Sequence, residues 1–272
     1  IEEERGVNID IAENLVVDSG NDISMTAATL KVGKEAYLEA KNDVTIRSGK
    51  KKTITEASHK ETSRRFDPTT RTWFKPRGTW EVSHSEGAST ETTEGHVAST
   101  IEVGNNLSIN SGNDITVAAS KVRSAGDMNL SAKGRVAITS AKTRTTEVGK
   151  KSQSHRKGWS GSSEHGDISS SKESLDQSRL SSGGVMRVDG DKGVSLTSAK
   201  LEMGKGGYLR SKDGGVTSKA LYLEKKGSFN GKVNGRSTTR ESLSRTGQAN
   251  QINAGENGLA IESKGDIDLE GT

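Results

Sequence analysis

With 272 residues, 29% of them hydrophobic and 3% aromatic, no cysteine and a mean hydropathy of −0.73, the chain cannot fill a broad globular core or lean on disulfides. Its net charge of +4 is too mild to demand a polyanionic partner, and no run of 18 apolar residues is present to cross a bilayer as a helix. Composition of this kind ordinarily means disorder, but here the few apolar residues are regularly placed.

The chain opens on Ile1 and three glutamates, without a methionine or a leader, and reads as a piece of a longer protein. The first regular elements are pairs of apolar residues separated by one position: Leu15/Val17, Ile23/Met25, Leu30/Val32, Ala36/Leu38 and Val44/Ile46. Period two marks short strands with one buried face. Three pairs occupy 21 residues, and the fourth restarts the series. Ninety-two residues on, Asn106–Lys142 repeats Asn14–Lys50 without a gap, with 15 of 37 positions identical. Its pairs are Leu107/Ile109, Ile115/Val117, Met128/Leu130 and Val136/Ile138. A third unit gives Met186/Val188, Val194/Leu196 and Leu201/Met203, and a partial fourth gives Leu259/Ile261 and Ile267/Leu269.

Strands this short, three to a turn, cannot each find a hairpin partner. They can lie on the equivalent strand one turn later, which predicts an all-β parallel β-helix of about 21-residue, three-strand rungs. In that stack Leu15 and Leu38 are expected to lie one above the other. The corners agree: Ser19-Gly20-Asn21-Asp22, Ser111-Gly112-Asn113-Asp114 and Lys264-Gly265-Asp266 carry turn residues, and Ala27-Ala28 and Ala118-Ala119 suit tight corners.

After every second rung the period stops, at inserts 51–98, 143–179 and 225–250, and the whole of 1–272 reads as one coil so interrupted. All five histidines, all three tryptophans and both prolines lie in the first two inserts. Residues 51–80 carry eight basic side chains to three acidic, and 81–100 carry four glutamates and no lysine or arginine. Residues 143–160 have five basic to one acidic, and 161–182 four acidic to two basic. A basic outgoing arm and an acidic return arm complement each other across an antiparallel hairpin. The third insert is basic along most of its length, and its conformation is left open.

The SGNDI corner, the AGDMNLSAKGRVAITSA cadence and the Ser/Thr/Glu-rich excursions resemble filamentous haemagglutinin-type repeats. The two-rung unit with a polar excursion is most similar to the second repeat region of CdiA-type contact-dependent growth-inhibition effectors. The resemblance implies a right-handed β-helix in a large exoprotein secreted by the two-partner route to the surface of a Gram-negative bacterium. It implies as partners the route's transporter and the target cell's outer membrane or a surface receptor, with this region taking part in toxin delivery. An adhesin shaft that binds host glycans or cell surfaces is the alternative, and the repeats alone leave both open.

The residues suggest little chemistry. Asp22, Asp114 and Asp266 recur at one corner, but the Gly-Gly-x-Gly-x-Asp pattern of calcium-binding repeats does not occur, so they read as turn residues. The histidines lack zinc spacing and read as solvated insert residues. No carboxylate pair stands on successive rungs beside an arginine, so the chain is not read as an enzyme, and no cofactor, small-molecule substrate or nucleic acid is expected. The candidate interaction site is the cluster Trp73, Phe74, Trp80 and Trp159 beside Arg64 and Arg65. Exposed rings among cations bind sugars, lipid headgroups or protein, and the competing role is to pack the inserts onto the coil.

Overall fold

The protein, seen here in a computed structural model, is described over residues 1–67, 71–72, 75–76 and 79–270, with side chains outside 67–79. Three parallel seven-stranded sheets form the walls of a β-helix of seven rungs. The rungs stack in the expected register: Leu107 lies between Ala36 and Met128, and Ile115 between Val44 and Val136. The expectation for Leu15 needs one correction. It lies over Ala36, and Leu38 lies over Val17, because the 21-residue offset pairs each residue with its own counterpart in the next rung.

Each central rung points six side chains to the axis. In the third these are Ile101, Val103, Leu107, Ile109, Ile115 and Val117, all buried. A core this thin suits a chain of low hydrophobic content, because every apolar residue in it is spent inward. Each fully buried Leu or Ile contributes roughly 1.5–3 kcal/mol. Serines also face inward, and the Ser111 hydroxyl donates to the carbonyl of Asp114 at 2.9 Å. Among the described residues no buried side-chain polar atom lacks a partner.

Side chains tie the corners from rung to rung. Asp22 Oδ1 accepts the amide of Asp43 at 3.1 Å, Asp43 Oδ1 that of Asp114 at 3.0 Å, and Asp114 Oδ1 that of Arg135 at 2.7 Å. A second ladder runs at the neighbouring corner through Asn14, Asn106 and Asp127, which accept the amides of Glu35, Asp127 and Val185. The recurrent aspartates Asp22 and Asp114 therefore act as turn residues that bond the amide of the next rung.

The third corner alternates. After odd rungs it is closed by one residue in the left-handed region, Ala27 (φ 52°), Ala119 (φ 44°) or Ser198 (φ 49°). Small side chains tolerate that conformation where the corner is packed. After even rungs the chain leaves the coil as a hairpin. Hairpin 1 has arms Gly49–Asp67 and Thr79–Val97, hairpin 2 Ala141–Lys157 and Ser160–Asp176, and hairpin 3 Leu221–Val233 and Arg236–Gln248. The arms begin two to four residues before the expected inserts, and the second ends at Asp176 because Arg179–Ser182 already belongs to the coil. Hairpin 3, unresolved by charge pattern, turns at Asn234-Gly235, both with positive φ, the two-residue geometry that matches strand twist.

The three hairpins are not separate. The return arm of hairpin 1 pairs with the outgoing arm of hairpin 2 from Glu81↔Lys157 to Glu94↔Arg144, and hairpin 2 pairs with hairpin 3 from Glu164↔Val233 to Lys172↔Lys225. With Glu2–Glu3 on the outer side of hairpin 1, they make one antiparallel seven-stranded sheet, here called the fin. Geometry explains why excursions follow every second rung. Rungs stack at about 4.8 Å and paired strands lie about 4.8 Å apart, so two rungs rise as far as one two-stranded hairpin is wide. Only at that spacing do successive hairpins meet as neighbours in one sheet. No helix among the described residues is long and apolar enough to cross a membrane.

Candidate functional site

The fin is a single layer, up to 19 residues from root to tip in its longest arms, or roughly 60 Å. Both faces are polar, so cross-strand pairs and the backbone ladder hold it in place of a core. Strand charge alternates across it. The outgoing arm of hairpin 1 is basic, its return arm has four glutamates and no lysine or arginine, and the outgoing arm of hairpin 2 has six basic residues to one glutamate. The return arm of hairpin 2 has four acids to one lysine. The expected complement across arms is present: Lys52–Glu94 (3.9 Å), Lys60–Glu86 (3.5 Å) and Lys151–Glu164 (3.7 Å). Each such exposed pair contributes about 0–1 kcal/mol, so the pattern matters more for register than for stability.

One row near the root runs across all seven strands on one face: Glu2, Lys52, Glu94, Arg144, Glu173, Glu224 and Arg245. Glu173 and Glu224 are neighbours in this row because the register of hairpin 2 on hairpin 3 extends to them, and the amide of Glu224 donates to Glu173 Oε2 at 3.0 Å. Glu173 also receives Lys142 Nζ at 2.9 Å and Arg144 Nη2 at 3.1 Å, and its side chain is only 8% exposed. The Lys142 hydrogen bond, followed by those from Arg144 and the Glu224 amide, outweighs burial and holds its pKa at about 2, below the ordinary 4.5. A depressed acid stabilises the fold above its unfolded pKa and loses that contribution as pH falls. Amide exchange of hairpin 2 is therefore expected to accelerate between pH 4.5 and about 2, and the Glu173→Gln variant to lack that component of the pH dependence. Identical pH profiles would contradict the assignment.

The tip holds the aromatic residues. Phe66 and Trp80 face each other across hairpin 1, with ring centroids 5.1 Å apart and planes inclined by 55°. Hairpin 2 ends at the same level, where the amide of Gly158 donates to the carbonyl of Trp80 at 3.3 Å. This sets Trp159 in the adjoining turn. Trp80 is 59% exposed and Trp159 fully exposed, so neither packs the hairpins onto the coil. Arg64 shares the face of Phe66 and Trp80, two residues along the strand, whereas Arg65 points to the other face opposite Glu81. Trp73 and Phe74 lie outside the described residues. A two-stranded piece, Arg71–Thr72 with Lys75–Pro76, lies between the arms.

The histidines lie on strands of the fin: His84 meets Thr62 across hairpin 1 (2.9 Å) and Glu86 of its own strand (3.4 Å), and His155 meets Ser83 (3.0 Å) and Glu81 (3.3 Å) across the junction of hairpins 1 and 2. Among the described residues no three His, Asp or Glu side chains converge as metal ligands would. Sequence reading missed the cation–ring pairs Arg240–Phe229 (5.7 Å) and Arg245–Tyr222 (5.9 Å) of hairpin 3. Their only signal was the two-residue turn Asn234-Gly235, which brings these side chains to opposing strands.

Against known families, the hemagglutinin repeat matches residues 2–71 and 80–272. The chain belongs to the hemagglutinin repeat family. The gap in the match, 72–79, falls in the sequence that joins the two arms of hairpin 1. This places the hemagglutinin repeat protein among filamentous haemagglutinin-like structural repeats, whose members are typically secreted and surface-associated. No curated protein and no solved structure matches the hemagglutinin repeat chain.

Proposed function

We propose that this chain is a shaft segment of a large CdiA-like exoprotein, in which the coil supplies length and the fin presents its tip to the outer membrane of a target cell during contact-dependent growth inhibition. The observation that carries the reading is the fin itself. A single-layer polar sheet adds nothing to the core, yet it holds Phe66, Trp80 and Trp159 exposed at its far end beside Arg64. Amphipathic rings among cations suit a lipid headgroup or lipopolysaccharide surface. Purified chain is expected to co-sediment with outer-membrane vesicles, and Trp80→Ala with Trp159→Ala to weaken that binding about fivefold or more. No co-sedimentation, together with unimpaired delivery by a full-length protein lacking the tips of hairpins 1 and 2, rejects the membrane role.

The second reading is an adhesin shaft for host glycans. The same exposed rings favour it, since a flat ring is the usual platform for a sugar face. A glycan array decides between the two. Binding that is lost in Trp73→Ala and Trp80→Ala variants supports the adhesin, and binding retained in both clears these rings of the role.

A further inference from the structure

The two faces of the fin differ at the tip, and the register between hairpins 1 and 2 makes them differ. On one face Glu81 lies between Arg65 and Lys157, and His155 Nε2 reaches the same carboxylate at 3.3 Å. One residue along, on the face that carries Phe66 and Trp80, the middle place is taken by Val82, with Arg64 on one side and Arg156 on the other. Among the described residues, the three rows nearest the tip on this face contain no acid. Its first carboxylate, Glu86, stands four residues down the strand from Val82, about 13 Å away. That carboxylate is taken by Lys60 at 3.5 Å. Residues 68–78, which join the arms of hairpin 1, add Arg71, Lys75 and Arg77 to the sequence and no acid.

Arg156 is the interior member of this pair. Its strand is bonded on both sides, with Val82 and Gly161 as its neighbours in the row, so hairpins 1 and 2 alone set what it faces. Arg156 Nε donates to the carbonyl of Gly158 at 3.3 Å, and the amide of Gly158 donates to the carbonyl of Trp80 at 3.3 Å. The guanidinium is thereby held beside the turn that carries Trp159, and its Nη groups have no partner among the described residues. A guanidinium fork meets the oxygens of a phosphate two at a time, which a lysine cannot do. A free phosphate ion would leave Trp80, 59% exposed, and Trp159, fully exposed, in water beside it. A phosphate fixed to a lipid covers them.

We infer that this face of the tip is a site for the phosphate of an anionic lipid headgroup, with Arg156 selecting the phosphate and Val82 and Trp80 set against the apolar part of the lipid. The inference rests on the membrane reading above and names the ligand that the tip takes there. Arg64, across Val82, stands two strand spacings from Arg156, about 9.6 Å between backbones, so both side chains can reach one phosphate.

The test is co-sedimentation of the full chain with three sets of vesicles: phosphatidylcholine alone, the same lipid doped with phosphatidic acid, and the same lipid doped with a fatty acid to equal surface charge. Binding to the phosphatidic acid vesicles is expected to be about tenfold or more tighter than to the fatty acid ones, with phosphatidylcholine weakest. Arg156→Gln should bring the two anionic sets within about twofold of each other and leave binding to phosphatidylcholine little changed. Arg156→Lys, which keeps the charge and loses the fork, should fall between. Lys157→Gln removes the same charge from the opposite face, one residue on, and should keep the preference. Absence of binding to every vesicle overturns the inference together with the membrane reading. Equal binding to the two anionic sets, a preference retained by Arg156→Gln, or the same loss in Arg156→Gln and Lys157→Gln overturns the inference and leaves the membrane reading standing. So does inorganic phosphate that displaces the chain as readily as phosphatidic acid vesicles do, which would make the free ion the ligand. Tighter binding to a single-stranded oligonucleotide than to any vesicle also overturns it.

Discussion

Val136→Asp is expected to destabilise the coil by about 4 kcal/mol or more. Val136 is completely buried in the fourth rung, between Ile115 below and Val194 above, and none of these neighbours offers a hydrogen-bond partner. An aspartate there either ionises in an apolar stripe or takes up a proton far from its ordinary pKa, and both are costly. The same change at Ile23, in the first rung, should cost clearly less, because Ile23 is only partly buried and water reaches it. Thr92→Asp, on the fin between Ile54 and Thr146, should cost less than ~1 kcal/mol. Thermal unfolding of the three variants orders them, and equal midpoints would contradict the core.

Replacing residues 140–178 by Ala-Ser is expected to leave the coil folded and to split the fin. The odd rungs supply the template, since Ala119-Ser120 alone joins Ala118 to Lys121 at the same corner. Thr139 would then pass to Arg179 by the route Ala118 already takes. Hairpins 1 and 3 lose the partner strands between them, and a lone two-stranded polar hairpin is marginal in water. Amides of Thr79–Val97 and Leu221–Val233 should therefore lose protection, while those of Leu107–Ser111 and Val185–Gly190 keep it. Loss of protection in the coil would show instead that fin and coil fold as one unit.

The coil was legible because its strands obey one period and, between rungs not separated by a hairpin, each inward residue recurs 21 or 22 positions later. It was least legible where serine or glycine takes an inward place. Leu180 pairs inward with Ser182, and Val216 with Ser218, so neither strand has two apolar residues to mark it. The fin was legible only in part. Charge complement gave the pairing within hairpins 1 and 2, but nothing in Thr, Ser and Glu strands exposed on both faces says which hairpin lies beside which. That information resides in the rise of the coil, which is a property of the backbone. The tip cluster was visible as rare residue types in a polar insert. That Gly158 docks Trp159 beside Trp80 depends on the register between hairpins, which no local pattern encodes.

The equal pitch of the wall and the fin has a consequence for how such a protein changes length. Gain or loss of a single turn would leave a gap one strand wide between neighbouring hairpins and dislocate the outer sheet, even though the inner wall would close without a fault. Growth is therefore quantised in pairs of turns, each pair carrying its own hairpin. Two commensurate lattices built from one chain thus act as a proofreading device on duplication.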